Sequence, residues 1–131
     1  KDLVKFISSS DIIINLLPNT NLTKNFINKD FLKKMKKKSL LINVGRGETI
    51  NEKDLIIFAK KNKEFFAILD VFAKEPLNIK HEFWKMKNII VTPHIASITN
   101  INSAVDQIYN IYSKYKKTKK LKNLVNWKNK Y

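Results

Sequence analysis

The amino-acid sequence predicts an α/β fold built on a parallel β-sheet, and three observations support this prediction. Along the 131 residues, apolar runs of strand length alternate with segments of helical periodicity. The runs are continuously apolar, which is typical of strands covered on both faces of a parallel sheet. The length suits one domain, and with 44% hydrophobic residues the chain can bury a core. Alternating strands and helices imply right-handed crossovers between parallel strands.

The strands are predicted from four apolar runs, most of which end at a residue that stops a strand. Pro18 follows the first run, Gly45 follows the second and Pro93 follows the fourth. The runs cover residues 11–17, 39–44, 66–71 and 88–92, and a further run at 121–127 is a candidate terminal strand.

Helices are predicted in the segments that separate these runs. The apolar residues among 3–7 indicate the end of one helix at the start of the chain. Asn28 can cap the next helix, and Thr49 or Asn51 can cap the one after it. The longest helix begins after Asn100 and has an apolar stripe along one side. The stripe consists of Ile101, Val105, Ile108, Tyr112 and Tyr115.

The composition excludes several kinds of site. The chain has no cysteine, which excludes disulfide scaffolds, thiolate metal sites and cysteine nucleophiles. It has two histidines, too few for a polyhistidine metal site. No apolar run approaches the roughly 18 residues that a membrane span requires. We therefore expect neither a metal site nor a membrane partner.

The net charge of +15 raises the question of a nucleic-acid partner, because a basic surface attracts polyanions. Arg46 is the one arginine in the chain, and phosphate and base recognition favour the planar guanidinium. The lysines are scattered along the sequence. We interpret the charge as a solvated, lysine-rich surface and expect no nucleic-acid partner. A basic nucleic-acid-binding module stays open as an alternative.

Three chemically distinctive side chains follow different strands of the predicted sheet: Arg46, Glu75 and His94. Parallel strands have their carboxyl ends at one edge, where such sheets bind ligands, so we expect the three in one site. Reduction of a carbonyl to an alcohol needs a cation for the substrate's carboxylate and a proton donor, which suit Arg46 and His94. A carboxylate beside an imidazole favours its charged form and orients the ring, a role open to Glu75.

The segments around these residues match a known family. Residues 43–47, 69–76 and 92–97 resemble the C-terminal half of the D-isomer-specific 2-hydroxyacid dehydrogenases. Residues 81–84 and the tail at 123–131 are most similar to the glyoxylate/hydroxypyruvate reductase subgroup.

The resemblance implies the domain organisation. Residues 1–99 correspond to the C-terminal part of a Rossmann-type NAD(P)-binding domain. Residues 100–131 correspond to a helix and tail that return the chain to a substrate domain absent from this sequence. The resemblance also implies that the full-length enzyme is a cytoplasmic homodimer.

The resemblance further implies an activity, hydride transfer from NADPH or NADH to a small 2-oxo acid such as glyoxylate or hydroxypyruvate. The product is the D-2-hydroxy acid. Arg46 matches the family's substrate-binding catalytic arginine, Glu75 its histidine-paired glutamate and His94 its acid/base. The positions that the resemblance assigns to cofactor binding are Leu17, Pro18, Val44, Gly45, Arg46, Asp70, His94 and Ser97.

One part of the family pattern is missing. The chain has two glycines, Gly45 and Gly47, so it contains no Gly-x-Gly-x-x-Gly turn to hold a dinucleotide's phosphates. We therefore expect a C-terminal portion of a reductase whose N-terminal part is absent, and expect this portion alone neither to bind cofactor tightly nor to turn over. A non-catalytic relative that senses the cofactor is the second alternative, although Arg46, Glu75 and His94 together favour chemistry.

Overall fold

The computed structural model describes residues 2–121 and 124–127, and its described part contains a four-stranded parallel sheet with strand order β1-β2-β3-β4. The strands are β1 (Ile12–Asn15), β2 (Leu40–Asn43), β3 (Phe66–Leu69) and β4 (Ile89–Val91). Each strand lies inside one of the four predicted apolar runs, so the predicted α/β class and parallel sheet are confirmed. Asn15, Asn43 and Leu69 are register partners, which aligns the carboxyl ends of the first three strands.

Helices and one face of the sheet form the core. Helix α2 (Lys29–Leu32) lies between β1 and β2 in the chain, and α3 (Glu52–Lys61) lies between β2 and β3. Apolar side chains of both helices join those of the strands in one buried cluster. The members exposed by 4% or less include Ile13, Leu32, Leu41, Leu55, Ala59, Ala67 and Leu69.

The alternate residues of the strands are exposed or half-buried. Ile12 and Ile14 of β1 are each 57% exposed, and Ile90 of β4 is 50% exposed. The prediction that the first strand is buried on both faces is therefore wrong. A continuous apolar run identifies residues that can be buried, but burial also requires a second layer packed on that face.

The helices of this region begin at capping side chains. Asp2 accepts hydrogen bonds from the first turn of α1 (Leu3–Ser9), and Asn28 does the same for α2. Asn51 caps α3, which decides between the two predicted capping residues. Of the apolar residues predicted to form one face of the first helix, Ile7 is buried.

The chain divides into two compact units, Lys1–Ala96 and Ser97–Tyr131. The second unit contains α4 (Ile101–Thr118), which Asn100 caps and which has no buried residue. The predicted apolar stripe of this helix is thus exposed. Residues 121 and 124–127 are not in a strand, so the predicted terminal strand is wrong there, while residues 122 and 123 lie outside the described residues. The tail motif at 123–131 is described only for 124–127.

Among the described residues, none of the helices combines the length and the apolar character needed to cross a membrane.

Candidate active site

The loops after β2, β3 and β4 carry the three side chains singled out in the sequence. Arg46 follows β2, Glu75 follows β3 and His94 follows β4. In a parallel sheet the carboxyl ends of neighbouring strands share one edge, so these loops emerge together. The fold therefore brings the loops that carry the three side chains to one end of the sheet. Among the described residues Glu75 and His94 are in contact and line one cavity, and the lining of that cavity does not include Arg46.

Glu75 and His94 form a hydrogen-bonded pair. The Oε2 atom of Glu75 lies 2.8 Å from Nδ1 of His94, and its Oε1 accepts a hydrogen bond of 2.9 Å from the backbone N–H of Phe72. The hydrogen bond with His94 lowers the pKa of Glu75 and, with the bond from Phe72, outweighs the opposing effect of burial. A charged carboxylate only accepts hydrogen bonds, so Nδ1 carries the proton. The other ring nitrogen, Nε2, has no hydrogen-bond partner among the described residues.

Asp70 holds the loop that carries His94. His94 has a left-handed backbone, with φ 55°, which is strained for a residue with a side chain. Asp70 is 2% exposed and accepts hydrogen bonds from the Thr92 hydroxyl and from the N–H groups of Ile95 and Ala96, the latter two at 2.9 Å each. Burial by itself would raise the pKa of Asp70. These hydrogen bonds lower it by a larger amount, so the pKa lies below its usual value. A charged Asp70 thus stabilises the loop conformation at His94.

The Arg46 loop fits closely against its neighbours because glycine flanks the arginine on each side. A Cβ at Gly45 would lie 2.8 Å from the carbonyl oxygen of Leu17, and one at Gly47 would lie 1.9 Å from the carbonyl carbon of Phe72. Neither glycine has a positive φ, so lack of space rather than backbone conformation requires them. Arg46 itself is exposed, and its Nη1 donates to the Gly45 carbonyl at 2.7 Å.

Beneath this loop lies a cluster of buried polar side chains that the sequence reasoning missed. Asn15, Asn43 and Thr49 are 4%, 1% and 0% exposed, and they are joined by hydrogen bonds. Asn15 ends β1 and Asn43 ends β2, and an asparagine inside each of two otherwise apolar runs was the available signal. Their contact depends on the register of β1 with β2, which the sequence does not reveal.

A cavity of about 480 Å³ adjoins the Glu75–His94 pair. Glu75 and His94 are part of its lining, and most of the remaining wall is apolar. The apolar members are Phe72, Pro76, Leu77, Trp84, Val91 and Pro93. The pair thus faces a space large enough for a small organic molecule.

The residues predicted to contact a cofactor occupy different environments. Pro18 is exposed, Leu17 and Val44 are half-buried, and Gly45 is buried at the same end of the sheet. Asp70 is buried, and its two carboxylate oxygens accept hydrogen bonds from the His94 loop. Ser97 is exposed and belongs to the second compact unit.

These residues fit a dinucleotide in part. Leu17 and Pro18 follow β1, and Val44 and Gly45 follow β2 directly before Arg46, so they offer apolar and backbone groups at the carboxyl end of the sheet. The sequence has no glycine-rich turn for a diphosphate, since its two glycines flank Arg46. The residues present therefore fit groups of a dinucleotide other than its diphosphate.

A comparison with protein families finds one that matches most of the chain. Residues 1–96 match the model of the "D-isomer specific 2-hydroxyacid dehydrogenase, NAD binding domain" family. Among curated proteins, the chain is similar to glyoxylate/hydroxypyruvate reductase A of Photorhabdus laumondii, with 44% identity over 103 residues, or 79% of this chain and 33% of the relative. The same enzyme of Yersinia enterocolitica is 37% identical, over 81% of this chain and 34% of the relative. The chain thus spans about a third of the length of these curated relatives.

Solved structures agree with this match. A D-isomer specific 2-hydroxyacid dehydrogenase from Xanthobacter autotrophicus, in complex with NADPH and MES, is similar with a TM-score of 0.87 and 33% identity, covering 95% of this chain and 51% of that one. An NADPH-dependent glyoxylate/hydroxypyruvate reductase from Sinorhizobium meliloti, in complex with NADP and sulfate, has a TM-score of 0.89 and 27% identity, covering 98% and 42%.

Proposed function

The chain belongs to the D-isomer specific 2-hydroxyacid dehydrogenase family, and we propose that it carries the catalytic groups of an NAD(P)H-dependent reductase of small 2-oxo acids. Glyoxylate and hydroxypyruvate are the proposed substrates, because curated relatives at 37–44% identity are named for them. The product is the D-2-hydroxy acid. The observation that carries the proposal is the hydrogen-bonded pair of Glu75 and His94 beside a cavity at the carboxyl end of the sheet.

The cofactor, when bound, supplies the hydride that adds to the carbonyl carbon of the substrate. We propose that Leu17, Pro18, Val44 and Gly45 hold its nicotinamide end. Asp70 contributes through the loop that it holds, because its carboxylate is hydrogen-bonded to Ile95 and Ala96. The roles of Arg46, His94 and Ser97 as further contacts stay proposals that rest on the family resemblance.

His94 is the proposed proton donor. The substrate's carbonyl oxygen gains negative charge during reduction and needs a proton from a positioned acid. Glu75 holds Nδ1 of His94, and this leaves Nε2 to transfer the proton to that oxygen. In the reverse direction the neutral ring accepts a proton from the hydroxy acid at the same nitrogen.

Arg46 is the proposed anchor for the substrate's carboxylate. A guanidinium binds a carboxylate with two parallel hydrogen bonds, which fixes the orientation of the neighbouring carbonyl. Arg46 is exposed at the carboxyl end of β2, and in the structure one of its Nη atoms is paired with a backbone carbonyl. The other donors of the guanidinium have no hydrogen-bond partner in the part of the chain that the structure describes, and we propose that they bind a small anionic substrate.

We also propose that residues 1–99 are the nucleotide-binding part and that residues 100–131 connect to a substrate domain. The exposed apolar stripe of α4, which has no buried residue within its own unit, supports this assignment. The proposal that the whole protein is a homodimer rests on the family resemblance alone.

The proposed function can be tested by an assay of the protein that carries this chain. We expect oxidation of NADPH or NADH, followed by absorbance, to depend on added glyoxylate or hydroxypyruvate and to yield the D-2-hydroxy acid. Cofactor binding without turnover of any 2-oxo acid would favour the cofactor-sensing alternative instead. Tight, salt-dependent binding of DNA in place of cofactor binding would contradict the proposal.

A further inference from the structure

We propose that Asn15, Asn43 and Thr49 are positioning residues for Arg46. They form a buried hydrogen-bonded network that fixes the main chain from which the Arg46 side chain extends. The proposal rests on the function proposed above for Arg46, and it assigns a role in substrate binding to side chains that do not themselves reach the substrate.

The polar side-chain atoms of the network all have hydrogen-bond partners. Nδ2 of Asn15 donates to Oδ1 of Asn43 at 2.8 Å and to Oγ1 of Thr49 at 2.7 Å. Oδ1 of Asn43 also accepts from the N–H of Gly45 at 3.2 Å, and Oδ1 of Asn15 accepts from the N–H of Leu17 at 3.2 Å. No buried side-chain polar atom of the described residues lacks a partner. A fully satisfied buried network of this kind selects one conformation.

The network converges on the backbone of the arginine. The carbonyl oxygen of Arg46 accepts hydrogen bonds from Oγ1 of Thr49 and from Nδ2 of Asn43, the latter at 3.4 Å. The N–H of Thr49 donates to the same oxygen at 3.2 Å. The side chain of Arg46, by contrast, is exposed, and among the described residues its one hydrogen bond is to the carbonyl of its neighbour Gly45. Its position is therefore determined mainly by its main chain, which the buried amides hold.

The opposite end of the sheet provides a matched comparison. Asn88 is 7% exposed, and its Nδ2 donates to the carbonyl oxygens of Ala59, Asn62 and Phe65 at 2.9, 3.3 and 3.0 Å. It is also a buried amide that joins separate elements, but its partners are in the last turn of α3, at the C-cap of α3 and directly before β3, at the amino end of the strands. Loss of Asn88 should therefore destabilise the fold without moving Arg46.

The experiment compares three variants in the protein that carries the chain: Thr49→Val, Thr49→Ser and Asn88→Leu. Valine has the shape of threonine without the hydroxyl, whereas serine keeps the hydroxyl. For Thr49→Val we expect KM for the 2-oxo acid to rise about tenfold and KM for NADPH to stay within about twofold, since small misplacements of a binding group are costly. Thr49→Ser should keep KM for the 2-oxo acid within about threefold of the original.

Asn88→Leu should lower Tm while leaving both KM values unchanged. A purely structural role for Thr49 would reduce the fraction of folded enzyme, so kcat would fall and neither KM would change. That result for Thr49→Val, or an equal rise in KM for the 2-oxo acid in Asn88→Leu, would overturn the proposal.

Hydrogen exchange of the chain itself supplies a readout that does not depend on activity. In Thr49→Val the backbone amides of Gly45 and Thr49 should exchange about tenfold faster relative to those of β3, because the loop opens locally. In Thr49→Ser they should not. If the protein reduces no 2-oxo acid, the proposed function fails, and unchanged local exchange in Thr49→Val would then overturn the positioning role independently.

Discussion

The chain has two histidines, and each lies beside a glutamate, but the two pairs differ in what their ring nitrogens do. In the loop after β4, Nδ1 of His94 bonds Glu75 at 2.8 Å, and Nε2 has no hydrogen-bond partner among the described residues. Before β4, Nδ1 of His81 accepts a hydrogen bond from the N–H of Phe83, while its Nε2 lies 3.7 Å from Glu52.

The two rings also differ in their exposure and in what they pack against. The side chain of His94 is 53% exposed, whereas that of His81 is 23% exposed and its ring centroid lies 4.4 Å from that of Phe83. His81 therefore caps a short 3₁₀ helix, Glu82–Lys85, and packs against it. A nearby carboxylate therefore does not by itself make a histidine a proton donor. The ring also needs a free nitrogen that faces a ligand site.

The largest expected effect is the loss of turnover when the His94 ring is removed, and removal of the His81 ring is the matched control. His94→Ala should lower kcat for reduction about a thousandfold, because a positioned acid contributes 10²–10⁴-fold to such a step. His81→Ala should leave kcat and both KM values within about threefold, with a lower Tm from the lost cap. Steady-state kinetics and thermal melts of both variants measure this. Equal loss of turnover in the two variants would remove the distinction between the pairs.

A second prediction tests whether Arg46 belongs to the same active site as the Glu75–His94 pair. Arg46→Lys keeps the charge but loses the two-pronged geometry, so kcat/KM for the 2-oxo acid should fall about a hundredfold. Tm should change little, because the side chain is exposed. Kinetics with glyoxylate and hydroxypyruvate provide the test. Unchanged kinetics in this variant would place Arg46 outside the site.

A smaller effect is expected at Asp70, which holds only the His94 loop. Its pKa is lowered in the folded protein, so its stabilising effect is present above the usual aspartate pKa and is lost as the pH falls through the lowered value. Asp70→Asn should cost about 2 kcal/mol at pH 7, as for loss of a hydrogen bond to a charged group. The cost should shrink at low pH. Denaturant unfolding at pH 7 and pH 3 measures both, and a cost independent of pH would show that the charge of Asp70 does not hold the loop.

Much of the fold could be predicted from the sequence, because each strand of the sheet lies within an apolar run, and three of the four runs are followed by a proline or a glycine. The three motifs at 43–47, 69–76 and 92–97 also predicted the family and the NAD-binding class correctly. The sequence could not reveal whether a second layer covers a given face. Ile12 and Ile14 are as apolar as Ile13, yet they are 57% exposed and Ile13 is 4% exposed.

The candidate site was predictable in its exposed parts and not in its buried ones. Arg46, Glu75 and His94 are chemically distinctive and follow predicted strands, so each could be singled out as a candidate from its position in the chain. The network of Asn15, Asn43 and Thr49 depends on strand register, and the hydrogen bonds of Asp70 reach residues that are 25 and 26 positions away. Contacts between distant segments require the folded chain.

The role of the Glu75–His94 pair is tested most directly by the pH dependence of reduction in Glu75→Gln, measured beside Glu52→Gln. A carboxylate beside an imidazole favours the charged ring, and the lowered pKa of Glu75 shows that its carboxylate is charged across the neutral range. Removing that charge should move the alkaline limb of kcat/KM to lower pH. Glu52→Gln should leave the limb in place. An alkaline limb that does not move in Glu75→Gln, or that moves equally in both variants, would contradict the role of this pair in proton transfer.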